Sequence, residues 1–443
     1  MEHALAWGER GRVMSETMPT IDIEREIRNL NAILEVSKAM SSEIQLDNLL
    51  QVIVQKTVEI MEADLASLFL YDEGRNELWS KIAHKLGQLQ EIRFSVGVGI
   101  AGDVAKTRQV ANIADAYTDP RFNPDFDKQT GYRTRSLLCL PMTSSKGKLV
   151  GVIQVLNKKN RGVFDERDES LLAALGAHAA VALERAQLTE VYVEKQRMDE
   201  ALKLAREIQM GMLPKRFPPF PHRSEIDLYA AIEPAREVGG DFYDFMLIDD
   251  DHLGFAIGDV SGKGVPASLF MSVTKTLLRV TAGKRGRPGA VLAELNNELC
   301  RDNDTGTFVT IFYGILRLRT GELEYSSGGH NPPYVLFQNG AVEALEQTGG
   351  MALGVLEGVT YGTKKVTLRP REEIFLYTDG VTEAMDSAGN LFSDHRLREF
   401  LQRAHKLSPT ELIHSVVSEV KRFSCGAEQS DDITALALQY LRR

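Results

Sequence analysis

Length, composition and charge set the first limits on this chain. Its 443 residues are enough for about two to three domains, each with its own hydrophobic core. The hydrophobic content of 43%, the charged content of 26% and the net charge of −10 are ordinary for a soluble globular protein and argue against a nucleic-acid binder. With no apparent secretion signal, no spanning stretch and only three distant cysteines, we expect a cytoplasmic protein without disulfides.

The first part of the chain reads as helices followed by strands. Residues 1–24 are polar and unpatterned, so we expect a flexible N-terminal tail. Apolar residues spaced by three and four then predict helices up to Met40 and from Asp47 to Met61. Alternating apolar segments predict strands at 66–71, 78–83, 136–142 and 149–156, the last two forming a hairpin.

Three glycine-rich or apolar motifs lie in this region, at Gly97–Gly102, Ser136–Pro141 and Gly151–Asn157. On these motifs, residues 25–187 resemble a GAF domain, a small-molecule sensor built on an antiparallel sheet. The resemblance implies a ligand pocket for an unidentified small molecule, with a cyclic nucleotide as one candidate. A candidate ligand motif of the cyclic-nucleotide-binding members is present as Asn157, Lys158, Phe164, Asp168 and Glu169. The same residues could equally strap an empty domain together.

A long helix is predicted after this region. No glycine or proline occurs between His178 and Met210, and good helix formers fill the segment. Over the linker 188–212, a weak heptad seam predicts a coiled coil that pairs two copies of the chain as a homodimer. The alternative is a single helix packed on its own domain. The seam positions are Leu188, Val191, Lys195, Met198, Leu202, Ala205, Gln209 and Met212.

Prolines after Met212 mark the start of a further domain, which we expect over residues 213–443. Alternation predicts strands at 226–232 and 253–260, which we interpret as partners. Pro266 opens a predicted helix, and Gly289 to Cys300 forms another. Strands at 308–318 and 323–327 form a second predicted pair around Gly321.

Isolated aspartates stand at strand ends throughout this domain. Asp241 lies in a Gly-Gly-Asp turn, Asp259 and Asp379 end apolar runs beside glycine, and Asp431 precedes a strand. Carboxylates at such positions can approach a hard cation closely and suit octahedral Mg²⁺ or Mn²⁺. The lone His330, beside a Pro turn, is interpreted as a structural hydrogen-bonding residue.

Residues 213–443 resemble the metal-dependent protein phosphatase family, and most closely its bacterial sporulation and stress-response branch. The resemblance implies an α+β fold in which two stacked antiparallel sheets are flanked by helices, an α/β/β/α sandwich. It also implies removal of phosphate from Ser or Thr of an anti-sigma-factor antagonist. The motifs that carry it are Val238–Asp244, Gly258–Gly264, Gly329–Pro333, Tyr377–Gly380 and Ser430–Thr434.

The resemblance also implies roles for individual residues. Two Mn²⁺ or Mg²⁺ ions would be shared by Asp241 and Asp259, with the Val260 carbonyl, Asp379 and Asp431 as further ligands. Asp244 and Asp432 are candidate supporting acids, and Arg236 is a candidate phosphate-binding residue. The alternative is a degenerate phosphatase that binds its partner without turnover.

Overall fold

The computed structural model describes residues 27, 30–31, 33–40, 43, 45–80, 92–159, 162–284, 286–301 and 303–442. The chain divides into two compact units, residues 1–197 and residues 198–443. The predicted tail over residues 1–24 and the end of the predicted strand 78–83 lie outside the described residues. The predicted domain limits at 187/188 and 212/213 stay predictions.

The first unit is built on one antiparallel sheet of six strands in the order β3-β2-β1-β6-β5-β4. The predicted hairpin is confirmed as the pair β5 and β6, which pairs Leu138 with Val155. The elements are α1 (Leu46–Ile60), β1 (Ala63–Asp72), β2 (Glu77–Ser80), β3 (Ile92–Ser95), α2 (Gly99–Thr107), β4 (Ala111–Ile113), α3 (Asp125–Thr130), β5 (Leu137–Thr143) and β6 (Leu149–Lys158).

Helices cover one face of this sheet. Helix α4 (Glu166–Met212) begins after β6, and its apolar residues at three- and four-residue spacing are buried with those of α1 against the sheet. A second apolar cluster, formed by α2 with residues such as Phe69 and Val152, fills the opposite side. This is the GAF fold that the motifs imply. The buried α4 residues are Leu172, Leu175, Ala179, Ala180, Leu183 and Ala186.

Helix α4 continues without interruption for 47 residues, as the lack of Gly and Pro predicts. The seam positions Leu188, Val191 and Met198 are 66%, 70% and 56% exposed. Gln209 differs from the predicted pattern, because it is 7% exposed and its side chain is bound within the second unit. Its polarity therefore has a cause other than a coiled-coil seam.

The second unit contains two five-stranded antiparallel sheets, β14-β11-β10-β9-β8 and β13-β12-β15-β16-β7. The elements of the first sheet and its helices are β8 (Phe242–Leu247), β9 (His252–Val260), α5 (Val265–Ala282), α6 (Pro288–Cys300), β10 (Val309–Arg317), β11 (Glu322–Gly328) and β14 (Lys364–Thr367). Those of the second are β7 (Ile226–Glu233), β12 (Tyr334–Leu336), β13 (Val342–Ala344), β15 (Glu373–Tyr377), α7 (Asp379–Thr382), α8 (Ser393–Ala404), α9 (Pro409–Phe423) and β16 (Ile433–Tyr440).

Both sheets contribute side chains to one central core, which includes Phe255 and Ile257 of β9 and Leu436 of β16. Helices α5 and α6 add to this core on the outer side of the first sheet. Helices α8 and α9 pack on the second sheet and form a separate apolar cluster. The α/β/β/α sandwich implied by the resemblance is therefore confirmed.

One predicted pairing is wrong. β7 does not pair with β9: it pairs with β16, matching Ile232 with Thr434, while β9 lies between β8 and β10. Alternation shows that a segment is a strand, but its partner is set by contacts between residues far apart in the chain. The predicted pair of β10 and β11 is confirmed.

Candidate metal centre and sensor cavity

Acidic residues from both sheets of the second unit meet at one end of the sandwich. Asp241 immediately precedes β8, and Asp259 lies near the end of its neighbour β9. Asp379 follows β15, and Asp431 and Asp432 precede β16, which pairs with β15. The strand ends of two stacked sheets thus bring together carboxylates that are far apart in the sequence.

Two glycines allow this close approach. A Cβ atom at Gly240 would stand 2.6 Å from the Val260 carbonyl oxygen and 3.3 Å from Asp259 Oδ1. A Cβ atom at Gly239 would stand 1.7 Å from Asp432 Oδ2. Any side chain at these positions would displace the acids, so the Gly-Gly-Asp turn is required by the packing of the site.

Asp241 is the most enclosed of the acids, at 1% exposure. Its Oδ2 atom accepts hydrogen bonds from the hydroxyls of Thr378, at 2.8 Å, and Thr434, at 2.5 Å. Burial, followed by the charges of Asp259 and Asp432, raises its pKa well above the ordinary value. The sequence gives no sign of these two contacts, although Thr378 lies next to Asp379 and Thr434 ends the motif Ser430–Thr434.

The neighbouring acids also have raised pKa values. Burial and the nearby charge of Asp379 raise the pKa of Asp259 to about 7. Burial also raises the pKa of Asp379 and that of Asp432. Asp432 accepts a hydrogen bond from the Ala235 amide at 2.8 Å, which fixes the turn that leads to Asp241. Carboxylates that raise one another's pKa in this way form a site that attracts cations.

One lysine reaches into this group. Lys263 Nζ lies 3.0 Å from Asp431 Oδ2 and donates to the Ser430 carbonyl at 2.6 Å. Arg236, the candidate phosphate-binding residue, is exposed and lines the same small cleft as Lys263, Gly240 and Asp431. In the sequence, Lys263 is visible only as the basic residue of the Gly258–Gly264 motif, and no pattern there predicts its contact with Asp431.

The donor set fits divalent cations in its chemistry. It combines carboxylates with the Val260 carbonyl, the oxygen ligands that Mg²⁺ and Mn²⁺ prefer. In their present arrangement, no group of three or more His, Cys, Asp or Glu side chains within the described ranges is set to hold a metal ion. Asp241 is instead engaged by threonines and Asp431 by Lys263. The ligand assignments therefore stay predictions.

The structure does not bring Asp244 into the cluster's contacts. Its carboxylate is fully buried and binds the Arg279 guanidinium at 2.6 and 2.7 Å and Lys275 Nζ at 2.8 Å. Both cations project from α5, so Asp244 ties that helix to β8. No contact of Asp244 with the other acids supports its predicted supporting role at the metals.

His330 joins the two sheets beside the acids. Its Nε2 atom lies 3.1 Å from the Tyr377 carbonyl, and its Nδ1 atom lies 2.9 Å from the Thr310 hydroxyl. Since a carbonyl only accepts, the proton is on Nε2 and the threonine donates to Nδ1. Burial lowers the pKa of His330 to about 4, which keeps the ring neutral. These contacts match the structural role that was predicted.

The first unit contains a cavity of about 350 Å³ against its sheet. Its walls are mostly apolar and include Phe69, Phe94 and Phe122. A buried acid, Asp127, also faces it, but both its oxygens are engaged by Thr134 and Tyr117. A concave cavity of this size with mostly apolar walls is the usual form of a small-molecule site.

The candidate ligand motif lies away from this cavity's lining. Asn157 is buried and bonds the Tyr132 hydroxyl, the Arg133 carbonyl and the Arg135 amide. Lys158 pairs with Asp168 at 2.5 Å, and its ammonium lies 5.6 Å from the Phe164 ring. Glu169 accepts from Asn112 at 2.8 Å. The Lys158–Asp168 pair joins β6 to the start of α4, while Asn157 binds the segment 132–135 and Glu169 binds β4, so the motif's contacts are structural.

Comparisons with known proteins agree with this division. Residues 249–441 match the family model of Stage II sporulation protein E (SpoIIE), and residues 45–183 match that of the GAF domain. The SiaA-PP2C domain of Pseudomonas aeruginosa superposes with a TM-score of 0.50 at 23% identity, covering 56% of this chain and 98% of that domain. The second unit therefore has the fold of PP2C-type phosphatases.

Two curated relatives share part of the chain. Protein IcfG of Synechocystis sp. is 32% identical over 265 residues, which cover 54% of this chain and 41% of IcfG. Dual 3′,5′-cyclic-AMP and -GMP phosphodiesterase 11 of Drosophila melanogaster is 36% identical over 200 residues, 42% of this chain and 14% of that protein. The chain spans less than half the length of either relative.

The two family matches define a chain of two kinds of domain. It carries a GAF domain followed by a SpoIIE domain, and the second unit has the fold of PP2C-type domains. Within the part of the chain that the structure describes, no helix is both long and apolar enough to cross a bilayer.

Proposed function

We propose that the chain is a metal-dependent protein serine/threonine phosphatase whose activity is controlled by its GAF domain. The observation that carries the proposal is the group of acids that the strand ends of both sheets bring together, Asp241, Asp259, Asp379 and Asp432, each with a pKa that burial raises above its ordinary value. A buried group of like charges is costly for folding, and sites of this kind are kept for function. Asp431 completes the oxygen donor set.

Two Mg²⁺ or Mn²⁺ ions, held by Asp241, Asp259, the Val260 carbonyl, Asp379 and Asp431, would neutralise a phosphate monoester and supply an activated water. The chain's own residues prepare this site. Thr378 and Thr434 fix the Asp241 carboxylate, and His330 holds the two sheets in register behind it. Arg236, which is exposed at the cleft that Asp431 also lines, would contact the phosphoryl group of a bound substrate.

The proposed substrate is a phosphorylated anti-sigma-factor antagonist, as the resemblance to the stress-response phosphatases implies. This setting is a cytoplasmic partner-switching pathway. The alternative function is a non-catalytic interaction module that binds the same partner. Retention of every acid in the motifs favours the enzyme, because a binding module has no need of a charge-repelling cluster.

Hydrolysis of p-nitrophenyl phosphate and of a phosphoserine protein distinguishes the two. We expect activity with Mn²⁺ or Mg²⁺ that EDTA abolishes, and a loss of several orders of magnitude in kcat for Asp259→Asn and Asp379→Asn. Asp227→Asn, which alters an acid on β7 outside the cluster, is the matched control. Near-normal turnover by folded Asp259→Asn and Asp379→Asn proteins would contradict the enzyme.

For the sensor, we propose a small-molecule ligand in the 350 Å³ cavity. Cyclic AMP and cyclic GMP are the first ligands to test, since the motif at Asn157 resembles that of cyclic-nucleotide-binding GAF domains. Binding to the native state would raise the melting temperature. If millimolar cyclic AMP or cyclic GMP causes no shift in the melting temperature, the cavity does not bind a cyclic nucleotide and its ligand is of another kind.

We also propose a homodimer formed through α4. The exposed apolar residues Leu188, Val191 and Met198 recur with heptad spacing and would be covered by the same helix of a second copy. Analytical ultracentrifugation tests this directly: Val191→Glu should convert a dimer into a monomer. A wild-type chain that sediments as a monomer would contradict the proposal.

A further inference from the structure

The Lys263 side chain reaches the acids at the end of β15 and the start of β16. Its Nζ atom lies 3.0 Å from Asp431 Oδ2 and donates to the Ser430 carbonyl at 2.6 Å. Burial and the charges of Glu383 and Asp431 raise the pKa of Asp379, and the positive charge of Lys263 is one of the influences that oppose this rise. Among the described residues, no other lysine or arginine forms an ion pair with an acid of the candidate metal centre. Lys263 is therefore the cation that the chain itself supplies to this site.

The backbone of its loop directs Lys263 toward Asp431. Lys263 stands between Gly262 and Gly264, whose φ angles of 88° and 77° lie in the left-handed region that residues with side chains rarely adopt. A Cβ atom at either glycine would meet no atom within 4 Å beyond the neighbouring residues, so the glycines are required by the backbone conformation and not by a lack of room. This loop joins β9 to α5 and places its one charged side chain against the segment that precedes β16. The position of Lys263 is therefore part of the fold of the loop.

The two ends of the acid group are held in different ways. Asp241 is 1% exposed, and its carboxylate is fixed by the neutral hydroxyls of Thr378 and Thr434. The side chains of Lys263 and Asp431 are 43% and 41% exposed. An ion pair with this exposure is screened by water and contributes little to the stability of the fold. The Lys263–Asp431 pair can therefore be broken at small cost, whereas the contacts of Asp241 are buried.

We propose that Lys263 is an internal cation that competes with a divalent metal ion for the Asp431 carboxylate. This inference rests on the metal centre of the proposed function and adds a residue that weakens metal binding there. The Asp431 oxygen that contacts Lys263 is one of the two that can ligate a metal, and an ammonium group and a divalent cation repel each other at such short range. Lys263 therefore has to give up its contact, or remain against this repulsion, when Asp431 binds a metal. Either outcome lowers the metal affinity.

The exposure of the pair limits the size of this effect. Because water screens both side chains, we expect Lys263 to weaken Mn²⁺ binding by about 3- to 10-fold. Lys263→Met removes the charge and keeps a side chain of similar length, so it should lower the dissociation constant of Mn²⁺ by this factor. Lys263→Arg keeps the charge and should leave the dissociation constant near that of the wild type.

The test is a titration of the full chain with Mn²⁺ at pH 8 without substrate, in which electron paramagnetic resonance measures the free ion. Lys365→Met is the matched control, because Lys365 lies 3.1 Å from Glu322 and 2.6 Å from Glu324, two acids outside the candidate metal centre. It should leave the Mn²⁺ affinity unchanged. The ratio of the wild-type to the Lys263→Met dissociation constant should fall toward one when KCl is raised from about 0.05 to about 0.5 M, because salt screens exposed charges. A ratio that stays the same at both salt concentrations would contradict a competition between charges.

The titration separates this inference from the proposed function. Mn²⁺ binding with the same dissociation constant in the wild type and in Lys263→Met would overturn the role of Lys263 and leave the metal-dependent phosphatase standing. A Lys263→Arg protein that binds Mn²⁺ as tightly as Lys263→Met would also overturn it, because the charge would then not be the cause. No Mn²⁺ binding by the wild type would overturn both proposals. A Lys263→Met protein that binds Mn²⁺ about 3- to 10-fold more tightly, with Lys365→Met unchanged, would support the competition.

Discussion

Gln209 and Gly239 are joined by both polar groups of the glutamine side chain. Nε2 donates to the Gly239 carbonyl at 2.7 Å, and Oε1 accepts from the Gly239 amide at 3.2 Å. Gln209 lies near the end of α4, and Gly239 is in the turn that carries Asp241. The end of the long helix is therefore bonded directly to the backbone of a candidate metal-ligand turn.

Replacing Gln209 by Leu should loosen that turn. The change leaves a buried amide and carbonyl of Gly239 without partners, which costs about 1–3 kcal/mol for such groups. We expect a lower melting temperature and at least a tenfold fall in phosphatase kcat, measured on the full chain with Mn²⁺. Gln196→Leu, which alters an exposed glutamine of α4, should have little effect on either quantity. Equal kcat values for the Gln209 and Gln196 variants would contradict a role for this contact.

The buried ion cluster at Asp244 should matter for stability. Asp244→Asn leaves Lys275, which is 5% exposed, and Arg279 without their counter-charge, and breaking a buried pair in this way costs about 3–5 kcal/mol. Arg279→Met should cost much less, because the Asp244–Lys275 pair remains balanced and the Arg279 side chain is 49% exposed. Urea unfolding of the two variants measures both. A smaller loss for Asp244→Asn than for Arg279→Met would show that the cluster is not held together by charge balance.

The sequence predicts those features of this molecule that depend on residues close together in the chain. The GAF and phosphatase motifs, the uninterrupted α4 and the strand-end acids each depend on a few consecutive residues. The partner of β7, the contacts of Asp244 and the burial of Gln209 depend on residues distant in the chain, such as Thr434, Arg279 and Gly239. The spacing of apolar residues along the sequence does not predict such contacts between distant residues. For this reason the heptad pattern assigns Gln209 to a seam position, although its side chain makes a tertiary contact with Gly239.

The neutral His330 should make stability fall in acid. Its pKa is about 4 in the folded chain and about 6.5 when unfolded, so the unfolded state takes up the proton first as pH falls. The contribution of neutral His330 to the free energy of unfolding is fully present above pH 6.5. It is lost as pH falls toward 4, by up to about 3 kcal/mol. In His330→Asn this part of the pH dependence should disappear. Urea unfolding between pH 4 and 8 measures it, and identical pH profiles for both proteins would contradict the assigned neutral state.

The acid cluster should make the metal-free protein less stable as pH rises. This pH dependence is opposite in direction to the one predicted for His330. The pKa of Asp259 is about 7 in the folded chain, above its ordinary value of 3.8, so the folded state binds the extra proton at low pH. As pH rises from about 4 through 7 the stability of the metal-free protein falls, by up to about 4 kcal/mol for this residue alone. Mn²⁺ should restore it, because a divalent cation replaces the proton as the charge that balances the carboxylates.

Thermal unfolding with Mn²⁺ and with EDTA, at pH 5 and at pH 8, measures this directly. We expect a rise in melting temperature with Mn²⁺ that is several degrees larger at pH 8, where the carboxylates are ionised, than at pH 5, where protons compete with the metal. Asp259→Asn removes one source of repulsion, so its metal-free form should be more stable than the wild type at pH 8 and should gain less from Mn²⁺. Asp227→Asn, whose acid lies outside the cluster on β7, should keep the full Mn²⁺ response. A Mn²⁺ shift that is the same at both pH values, or one that Asp259→Asn retains in full, would show that the cation binds elsewhere.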